Sequence, residues 1–293
     1  MTYELKKGGL QAAARTKGGE LVSLRDADGL EYIWGGDPAF WSGQNPILFP
    51  IVGSLKDGRV DIGGKSCEMG RHGFARGSEF TLLEQGEDFV TLELRENEDT
   101  LKCYPFPFSL RVTHRLLNSG FSTSFTVKNT GGAPMPFCIG AHTAIRCPLR
   151  EGERFEDYEL LFEEPEHADS HLLSPEGTIL HDGRRPMLDE SSRLALSYTP
   201  FAEMDTIIFS MLRSGHVSLV HGESGRGVRL DFHEFPMVAF WTMPNANAPY
   251  ICLEPWHGCA AVEGETGELA DKPHVICLAP GGEKGLEYTV TVV

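Results

Sequence analysis

Short runs of alternating apolar and polar residues restrict the fold of this chain more than any other feature. A period of two turns one side of a strand toward a core and the other toward water. Short strands separated by turns rich in Gly, Asn and Asp are typical of antiparallel sandwiches. The sequence therefore predicts an all-β fold, an antiparallel β-sandwich. The alternating runs are residues 89–94, 108–116, 121–129, 217–220, 227–232 and 288–292.

Helical patterns are scarce by comparison. The 33 glycines and 18 prolines interrupt most of the chain, and the helix-like segment 268–271 is too short to predict a helix. The polar segments 151–157 and 163–185 are predicted as loops or as a surface hairpin. Because the sequence has no internal repeat and no linker, we expect one domain across residues 1–293.

Charge and composition narrow the classes of partner. The chain has 26 Lys and Arg against 42 Asp and Glu, a formal net charge of −16. Nucleic-acid binders normally show a basic face, and anionic membranes repel acidic proteins. No stretch approaches the ~20 apolar residues that span a bilayer, and residues 1–7 lack the pattern of a signal peptide. We therefore expect a cytoplasmic monomer or homodimer whose partner is a small molecule, not nucleic acid or membrane.

The cysteines are scattered, and no two form a C-x-x-C pair. Their number, seven, is odd, so at least one thiol is unpaired within the chain. This distribution favours buried thiols of a cytoplasmic protein over a disulfide framework or a zinc site. The positions are Cys67, Cys103, Cys138, Cys147, Cys252, Cys259 and Cys277.

Three segments combine ionisable side chains with glycine, proline and aromatic residues. They contain His72 (residues 70–78), His142 (residues 135–142) and Glu254 (residues 250–258). Such surroundings are typical of a polar pocket for a small hydrophilic ligand. Brought together from distant parts of the chain, two histidines and a glutamate would form a set of proton donors and acceptors.

His72 has two interpretations. A lone loop histidine is usually a solvated surface residue. Its neighbours Arg71 and Arg76 instead favour a site that binds sugar hydroxyls or a phosphate, because guanidiniums form charge-assisted hydrogen bonds. Their positive charges would also oppose protonation of His72.

The other candidates also have structural alternatives. Glu254 lies in an apolar and aromatic run, where a carboxylate is uncommon unless it is paired or functional. Partial burial would raise its pKa toward that of a general base, whereas a strand-end glutamate would reach solvent. His142 could also be a hydrogen-bonded core histidine, and Asp205 could cap a turn. His114 lies within an alternating strand and is expected in the core.

Several common chemistries find no support in the sequence. It has no phosphate-binding P-loop, no dinucleotide fingerprint and no G-x-S-x-G nucleophile elbow. It also has no H-E-x-x-H motif and no H-x-H pair, so a metal site would need three scattered ligands.

Six motifs occur in order between residues 45 and 258, within a resemblance that covers nearly the whole chain, about residues 3 to 293. They are residues 45–53 (NPILFPIVG), 71–76 (RHGFAR), 104–108 (YPFPF), 135–142 (MPF leading to GAH), 205–209 (DTIIF) and 252–258 (CLEPWHG). In this order they resemble the aldose 1-epimerases, or galactose mutarotases, and particularly the branch encoded with lactose and tagatose pathways in some bacteria. The HGFAR and EPW motifs are the most specific parts of the resemblance.

The resemblance implies a large antiparallel β-sandwich with a concave sugar-binding face and no cofactor. It implies that His142 is the general acid at the ring oxygen and that Glu254 is the general base at the anomeric hydroxyl. It also implies a set of sugar contacts from His72, the second histidine of the site, and from Asp205, Arg71 and Arg76.

Two departures from the family pattern bear on sugar specificity. The branch often has arginine after Gly53, where this chain has Ser54, so that arginine is missing or replaced by Lys56. After His142 the usual Pro-Ala-Phe reads TAI, which removes an aromatic residue.

Mutarotation of a free hexose is the favoured function. The alternatives are mutarotation of a hexose 6-phosphate held by Arg71 and Arg76, a sugar-binding sandwich without turnover, and a metal-dependent sugar isomerase. In the last case His72, His142 and Glu254 would be ligands. Opening and reclosing a hemiacetal requires both an acid and a base, whereas passive binding requires neither, so the presence of both favours an enzyme.

Overall fold

The computed structural model describes all of residues 1–293, and extended strands dominate it. In chain order the strands are β1 (Thr2–Lys7), β2 (Leu10–Arg15), β3 (Leu21–Arg25), β4 (Ile47–Leu48), β5 (Arg59–Ile62), β6 (Lys65–Glu68), β7 (Thr81–Gln85), β8 (Phe89–Arg95), β9 (Phe108–Leu117), β10 (Gly120–Asn129), β11 (Met135–Phe137), β12 (Ile139–Ala141), β13 (Thr143–Arg146), β14 (Tyr158–Leu173), β15 (Ile179–Ala195), β16 (Thr206–Ser210), β17 (His216–His221), β18 (Gly227–Asp231), β19 (Met237–Trp241), β20 (Tyr250–His257), β21 (Ile276–Leu278) and β22 (Glu283–Val292).

Helices are few and short. The two α-helices are α1 (Glu98–Cys103) and α2 (Thr199–Met204), and four 3-10 turns lie at Lys56–Gly58, Ala75–Gly77, Phe155–Asp157 and Leu269–Asp271. None of these helices has the length and apolar character needed to cross a bilayer.

Two large antiparallel sheets form the body of the protein. One has nine strands in the order β15-β14-β17-β18-β22-β10-β9-β8-β7. The other has the order β16-β19-β20-β12-β4, with β13 also paired to β20. A three-stranded sheet (β1-β2-β3) and two two-stranded ribbons complete the strand pairing. This architecture is the all-β antiparallel sandwich that the alternating runs predict.

Apolar side chains from the facing surfaces of the two large sheets form the main core. The ring of Phe162 on β14 lies 5.9 Å from that of Phe209 on β16 and 6.1 Å from that of Phe240 on β19. Alternate residues of β8 and β9 are buried in the same core, among them Val90, Leu92, Leu110 and Val112. Burying a side chain of this kind stabilises the fold by roughly 1.5–3 kcal/mol, which explains why alternation predicts these strands.

The structure decides between the two alternatives for residues 163–185, which were a loop or a surface hairpin. Most of this segment lies in the long hairpin β14–β15, whose tip is the turn at residues 174–178. The hairpin alternative is therefore correct. The two α-helices were not predicted. The start of α1 is nevertheless recognisable, because the Asn97 side chain accepts hydrogen bonds from the backbone N–H groups of Asp99 and Thr100.

All seven cysteines are free thiols, and five of them are buried. Cys103 is partly exposed and Cys277 is exposed. The expectation of buried thiols is therefore correct for most of them.

Candidate active site

A cavity lies on the face of the six-stranded sheet that points away from the sandwich core. Along β20, Ile251 and Leu253 join the main core, so Glu254 and Trp256 face the opposite side and line the cavity. On β16, Phe209 packs in the core while Ile208 lines the cavity. The same period of two that builds the sandwich therefore places a carboxylate on the cavity floor.

Strand register places His142 opposite Glu254. The pairs Gly140–Trp256 and Thr143–Leu253 share one antiparallel register on either side of them, and the His142 Nε2 atom lies 3.2 Å from Glu254 Oε1. Pro255 cannot donate a ladder hydrogen bond, which fits the break between β12 and β13 at this point. A Cβ at Gly140 would lie 2.7 Å from the Pro255 carbonyl oxygen, so this close approach of strands requires glycine.

Glu254 is almost completely buried, with 1% of its surface exposed. Burial raises its pKa well above the usual range. The charge of Asp205 acts in the same direction, while Trp256, Arg71 and Arg76 oppose it. Its Oε2 atom has no hydrogen-bond partner within the protein. A buried carboxyl group that lines a cavity and has an unpaired oxygen has the properties of a proton-transfer group.

Aromatic rings surround His142. The Trp41 ring lies 4.8 Å away at 34°, the Trp241 ring 5.6 Å away at 73°, and the His72 ring 5.5 Å away at 89°. The Nδ1 atom of His142 has no hydrogen-bond partner, although the residue's own carbonyl raises its pKa slightly. On the Nδ1 side, therefore, ring packing and not a hydrogen-bonded carboxylate orients this imidazole.

Burial lowers the pKa of His142 to about 3, with further contributions from the charges of Arg76 and Arg71. Together with the raised pKa of Glu254, this favours an uncharged pair that holds one proton on the carboxyl group. Moving that proton to Nε2 gives a carboxylate and an imidazolium with no proton gained from solvent. A pair of this kind can supply both a base and an acid without exchanging a proton with solvent.

His72 lies in a tight loop and has a left-handed backbone conformation. Its φ is +67°, and reciprocal hydrogen bonds join it to Gly53: the His72 N–H donates to the Gly53 carbonyl (2.9 Å), and the Gly53 N–H donates to His72 Nδ1 (3.1 Å). Because Nδ1 accepts, Nε2 of the neutral ring carries the proton. Burial and the charges of His142, Arg76 and Arg71 lower its pKa well below the usual value. The arginines oppose protonation as predicted, although burial is the larger cause.

Arg71 and Arg76 both line the cavity. Arg71 Nε donates to Ser54 Oγ (2.9 Å), and no carboxylate forms an ion pair with either guanidinium. Lys56, one of the two alternatives for the missing arginine, is exposed and does not line the cavity. The guanidinium that reaches position 54 is therefore that of Arg71.

Asp205 closes another side of the cavity. It follows α2 with a φ of +64°, and its Oδ2 atom accepts a hydrogen bond from Thr206 Oγ1 (2.7 Å). All six predicted site residues thus line one cavity: His72, His142, Glu254, Asp205, Arg71 and Arg76. His114 lies elsewhere, fully buried between Thr123 and the Gly19 carbonyl, as its strand position predicts.

Sequence reasoning missed the aromatic wall formed by Trp41, Trp241 and Trp256. Trp41 comes from the loop between β3 and β4, where its surroundings give no pattern that marks it. Trp256 belongs to the EPW motif, but the motif does not reveal which way its ring points.

One group of side chains has spacing compatible with metal ligation. His142, Cys252 and Glu254 offer ligand atoms within 4.8 Å of one another, and His72 is not among them. Burial raises the pKa values of both Cys252 and Glu254 well above their usual ranges. The group therefore differs from the set of His72, His142 and Glu254 that the metal-dependent alternative requires.

Comparisons with known proteins identify the family of this chain. The model of the family described as aldose 1-epimerase matches residues 1–289. The chromosomal and plasmid forms of protein LacX from Lactococcus lactis subsp. lactis are each 40% identical to this chain over 300 positions, and each alignment covers 100% of both proteins.

Solved structures give the same result. A galactose mutarotase related enzyme from Lactobacillus acidophilus superimposes with a TM-score of 0.94 at 29% identity, covering 100% of this chain and 97% of that one. A galactose mutarotase-like protein from Lactobacillus casei ATCC 334 gives 0.92 at 28% identity with complete coverage of both chains.

Proposed function

The chain belongs to the aldose 1-epimerase family, and from this premise we propose that it is a mutarotase that interconverts the α and β anomers of a free hexose. The family makes it a carbohydrate epimerase of the isomerase class. The choice of a free hexose, the roles of the side chains and the absence of any cofactor requirement are parts of the proposal.

The proposed function rests mainly on one observation: His142 Nε2 and Glu254 Oε1 lie 3.2 Å apart on the floor of a cavity. Ring opening removes a proton from the anomeric hydroxyl and adds one to the ring oxygen. Both oxygens are bonded to C1, so they lie close together. An acid and a base side by side match this requirement, whereas passive binding does not need it.

The proposed reaction follows from the shared proton of the pair. Glu254, as carboxylate, takes the proton from the hydroxyl on C1 while His142, as imidazolium, gives a proton to the ring oxygen. Rotation about the C1–C2 bond exposes the other face of the aldehyde. Ring closure then runs the two transfers in reverse. His72 donates from Nε2 to a sugar oxygen, and Asp205 holds neighbouring hydroxyls.

Polarimetry of freshly dissolved α-glucose and α-galactose tests the proposal. We expect the optical rotation to reach equilibrium faster in proportion to enzyme concentration, with or without a chelator. Sugar binding without acceleration would instead support a passive binding protein. Activity that a chelator abolishes and a divalent metal restores would support the metal-dependent alternative.

A hexose 6-phosphate is the second candidate substrate, because two guanidiniums without carboxylate partners line the cavity. Replacing Arg71 and Arg76 with Met should then raise KM for the phosphorylated sugar at least about tenfold, equivalent to ~1.4 kcal/mol. The carboxylate of Asp205 in the same cavity and the net charge of −16 favour the free sugar. That preference is abandoned if kcat/KM for any hexose 6-phosphate exceeds that for every free aldose.

A further inference from the structure

Trp256 lines the cavity, but the proton transfers described above assign it no role. It follows Glu254 by two positions on β20, so both side chains extend from the same face of the strand. Both line the cavity, and only 4% of Trp256 and 1% of Glu254 are exposed. The strand therefore holds a buried indole ring next to the proposed base.

One polar atom of each side chain lacks a partner. Neither Glu254 Oε2 nor Trp256 Nε1 forms a hydrogen bond within the protein. An indole N–H can only donate, whereas a carboxyl oxygen can accept. Buried polar groups without a partner are rare in proteins, and each requires an explanation. A donor and an acceptor on the same face of one strand are complementary, so pairing them would satisfy both.

The indole N–H already acts on the carboxyl group. Hydrogen bonding from Trp256 lowers the pKa of Glu254, although burial has the larger effect and raises it. The geometry falls short of a full hydrogen bond, because neither atom has a partner. Catalytic hydrogen bonds are often long or poorly aligned before the substrate binds, and they tighten in the reacting complex. The contact between Trp256 and Glu254 has the character of such a bond.

Neighbouring strands confine the edge of the indole ring that carries the N–H. Gly140 on β12 and Met237 on β19 are the ladder partners of Trp256. A Cβ at Gly140 would lie 2.9 Å from Trp256 Cδ1, the carbon bonded to Nε1. The ring also belongs to a buried apolar cluster that includes Met237. Turning the N–H away from Glu254 would therefore require repacking of this cluster.

The charge on Glu254 changes during the proposed reaction, and the indole N–H favours the charged form. In the resting pair Oε1 lies 3.2 Å from His142 Nε2 and shares its proton with that nitrogen, which leaves Oε2 for other donors. Once the proton moves to His142, a hydrogen bond from Trp256 to the carboxylate becomes charge-assisted and stronger. A carboxylate oxygen has two lone pairs, so Oε2 can accept from the indole and still take the proton from the hydroxyl on C1.

Other groups around Glu254 act on it through charge alone. Asp205 opposes its ionisation, and the two guanidiniums that line the cavity favour it, but none of them donates a hydrogen bond to Oε2. The charged and titratable groups that surround the carboxyl group are His142, Cys252, Asp205, Arg71, Arg76 and, across the His142 ring, His72.

We propose that Trp256 is a positioning residue, whose indole N–H donates to Glu254 Oε2 and stabilises the carboxylate form of the base. This inference rests on the proposed mutarotase function and adds a residue to it. Because Trp256 acts through Glu254, its N–H contributes to turnover more than to sugar binding.

An isosteric replacement tests the N–H without changing the packing. Benzothienylalanine has the shape of tryptophan with sulfur in place of the N–H, and it is introduced at position 256 alone. The loss of a hydrogen bond to a charged group changes an equilibrium about tenfold or more. Only part of this change appears in the rate, because the remaining base is also stronger. For the better of glucose and galactose, we expect kcat to fall at least about threefold and KM to change less than kcat.

Infrared spectroscopy of the carboxyl group provides a second readout that does not depend on activity. The C=O stretch of protonated Glu254 is identified at pH 5 by its absence in Glu254→Gln. In the position-256 variant it should move to higher frequency, because the C=O group loses a donor, and the pH midpoint of its titration should rise. A merely structural disturbance that admits water would move both in the opposite direction.

Trp34 offers a matched control for the chemistry of the replacement. Its Nε1 donates to the Trp41 carbonyl (2.8 Å), and it does not line the cavity. Benzothienylalanine at position 34 removes a hydrogen-bonded N–H and should lower stability. It should leave the frequency and the titration midpoint of Glu254 unchanged.

The outcomes separate this role from the alternatives. An unchanged C=O frequency, or a fall in kcat of less than about threefold, overturns the positioning role. In the Glu254→Gln background the isostere should leave sugar affinity unchanged; weaker binding there would mean that the N–H contacts the sugar directly, which also overturns the proposal. If the wild-type protein accelerates no sugar at all, the mutarotase function fails, whereas the infrared shift still reports the contact between Trp256 and Glu254.

Discussion

Replacing Glu254 with glutamine removes the proposed base with little change of shape. The amide retains an oxygen that can face His142 Nε2, now 3.2 Å from the carboxylate, but it cannot take a proton from the hydroxyl on C1. We therefore expect sugar binding to persist while turnover fails.

We expect a large loss of kcat because no other group in the cavity can take over the role of the base. His72 Nδ1 already accepts the Gly53 N–H, and Nε2 carries a proton. Asp205 accepts from Thr206 and belongs to another side of the cavity. A positioned general base contributes about 10²–10⁴-fold. We expect kcat to fall at least about 100-fold, which corresponds to ~2.7 kcal/mol.

The same substitution should raise stability although it lowers activity. The folded-state pKa of Glu254 is raised above its unfolded value, so the folded protein binds this proton more tightly. Its contribution to the free energy of unfolding is therefore full below the unfolded pKa and declines as the pH rises toward the folded pKa. Relative to wild type, Glu254→Gln should become more stable as the pH rises above about 4.5.

The assay combines polarimetric kcat and KM with calorimetric sugar binding and urea unfolding at several pH values. Glu151→Gln, the same change at an exposed position outside the cavity, serves as the control. A Glu254→Gln enzyme with kcat within threefold of wild type would refute the assignment of the base. Loss of activity together with loss of stability at pH 8 would show that the carboxylate has a structural role instead.

Three further predictions concern the groups around this carboxylate. His142→Asn should lower kcat about 100-fold with little effect on KM, whereas His72→Asn should change both, since it also positions the sugar; full turnover by both variants would place the site elsewhere. Trp41→Leu should reduce kcat by about 2- to 30-fold, the range of a cation–π contact with the imidazolium, and Trp41→Phe should restore most of it; equal loss in the two variants would contradict a role of the aromatic ring. Because burial lowers the pKa of His142 to about 3, the pair keeps its single proton at pH values well below 6.5, so kcat/KM should stay level from pH 7 to pH 5; an acidic limb with an apparent pKa near 6.5 would mean that a solvated histidine controls the reaction.

The motifs identified, before their geometry was known, six side chains that the fold brings together. His72, His142, Glu254, Asp205, Arg71 and Arg76 all line one cavity. The motifs could not show that Lys56 lies outside the cavity while the Arg71 guanidinium reaches Ser54, because that depends on where the loop before His72 meets Ser54. They could not identify Trp41 either, since its contact with His142 joins segments about a hundred positions apart in the sequence.

What the sequence determines by itself is the local pattern. A period of two assigns strands to residues 89–94 or 108–116, and it puts Glu254 on the side opposite Leu253. Register between distant strands is a different kind of property. The 3.2 Å contact of His142 with Glu254 exists only because β12, β13 and β20 pair in one alignment, which the packing of the whole sandwich selects. The raised pKa of Glu254 and the lowered pKa of His142 follow from the burial that this packing produces, so the contact and both pKa shifts are properties of the tertiary structure alone.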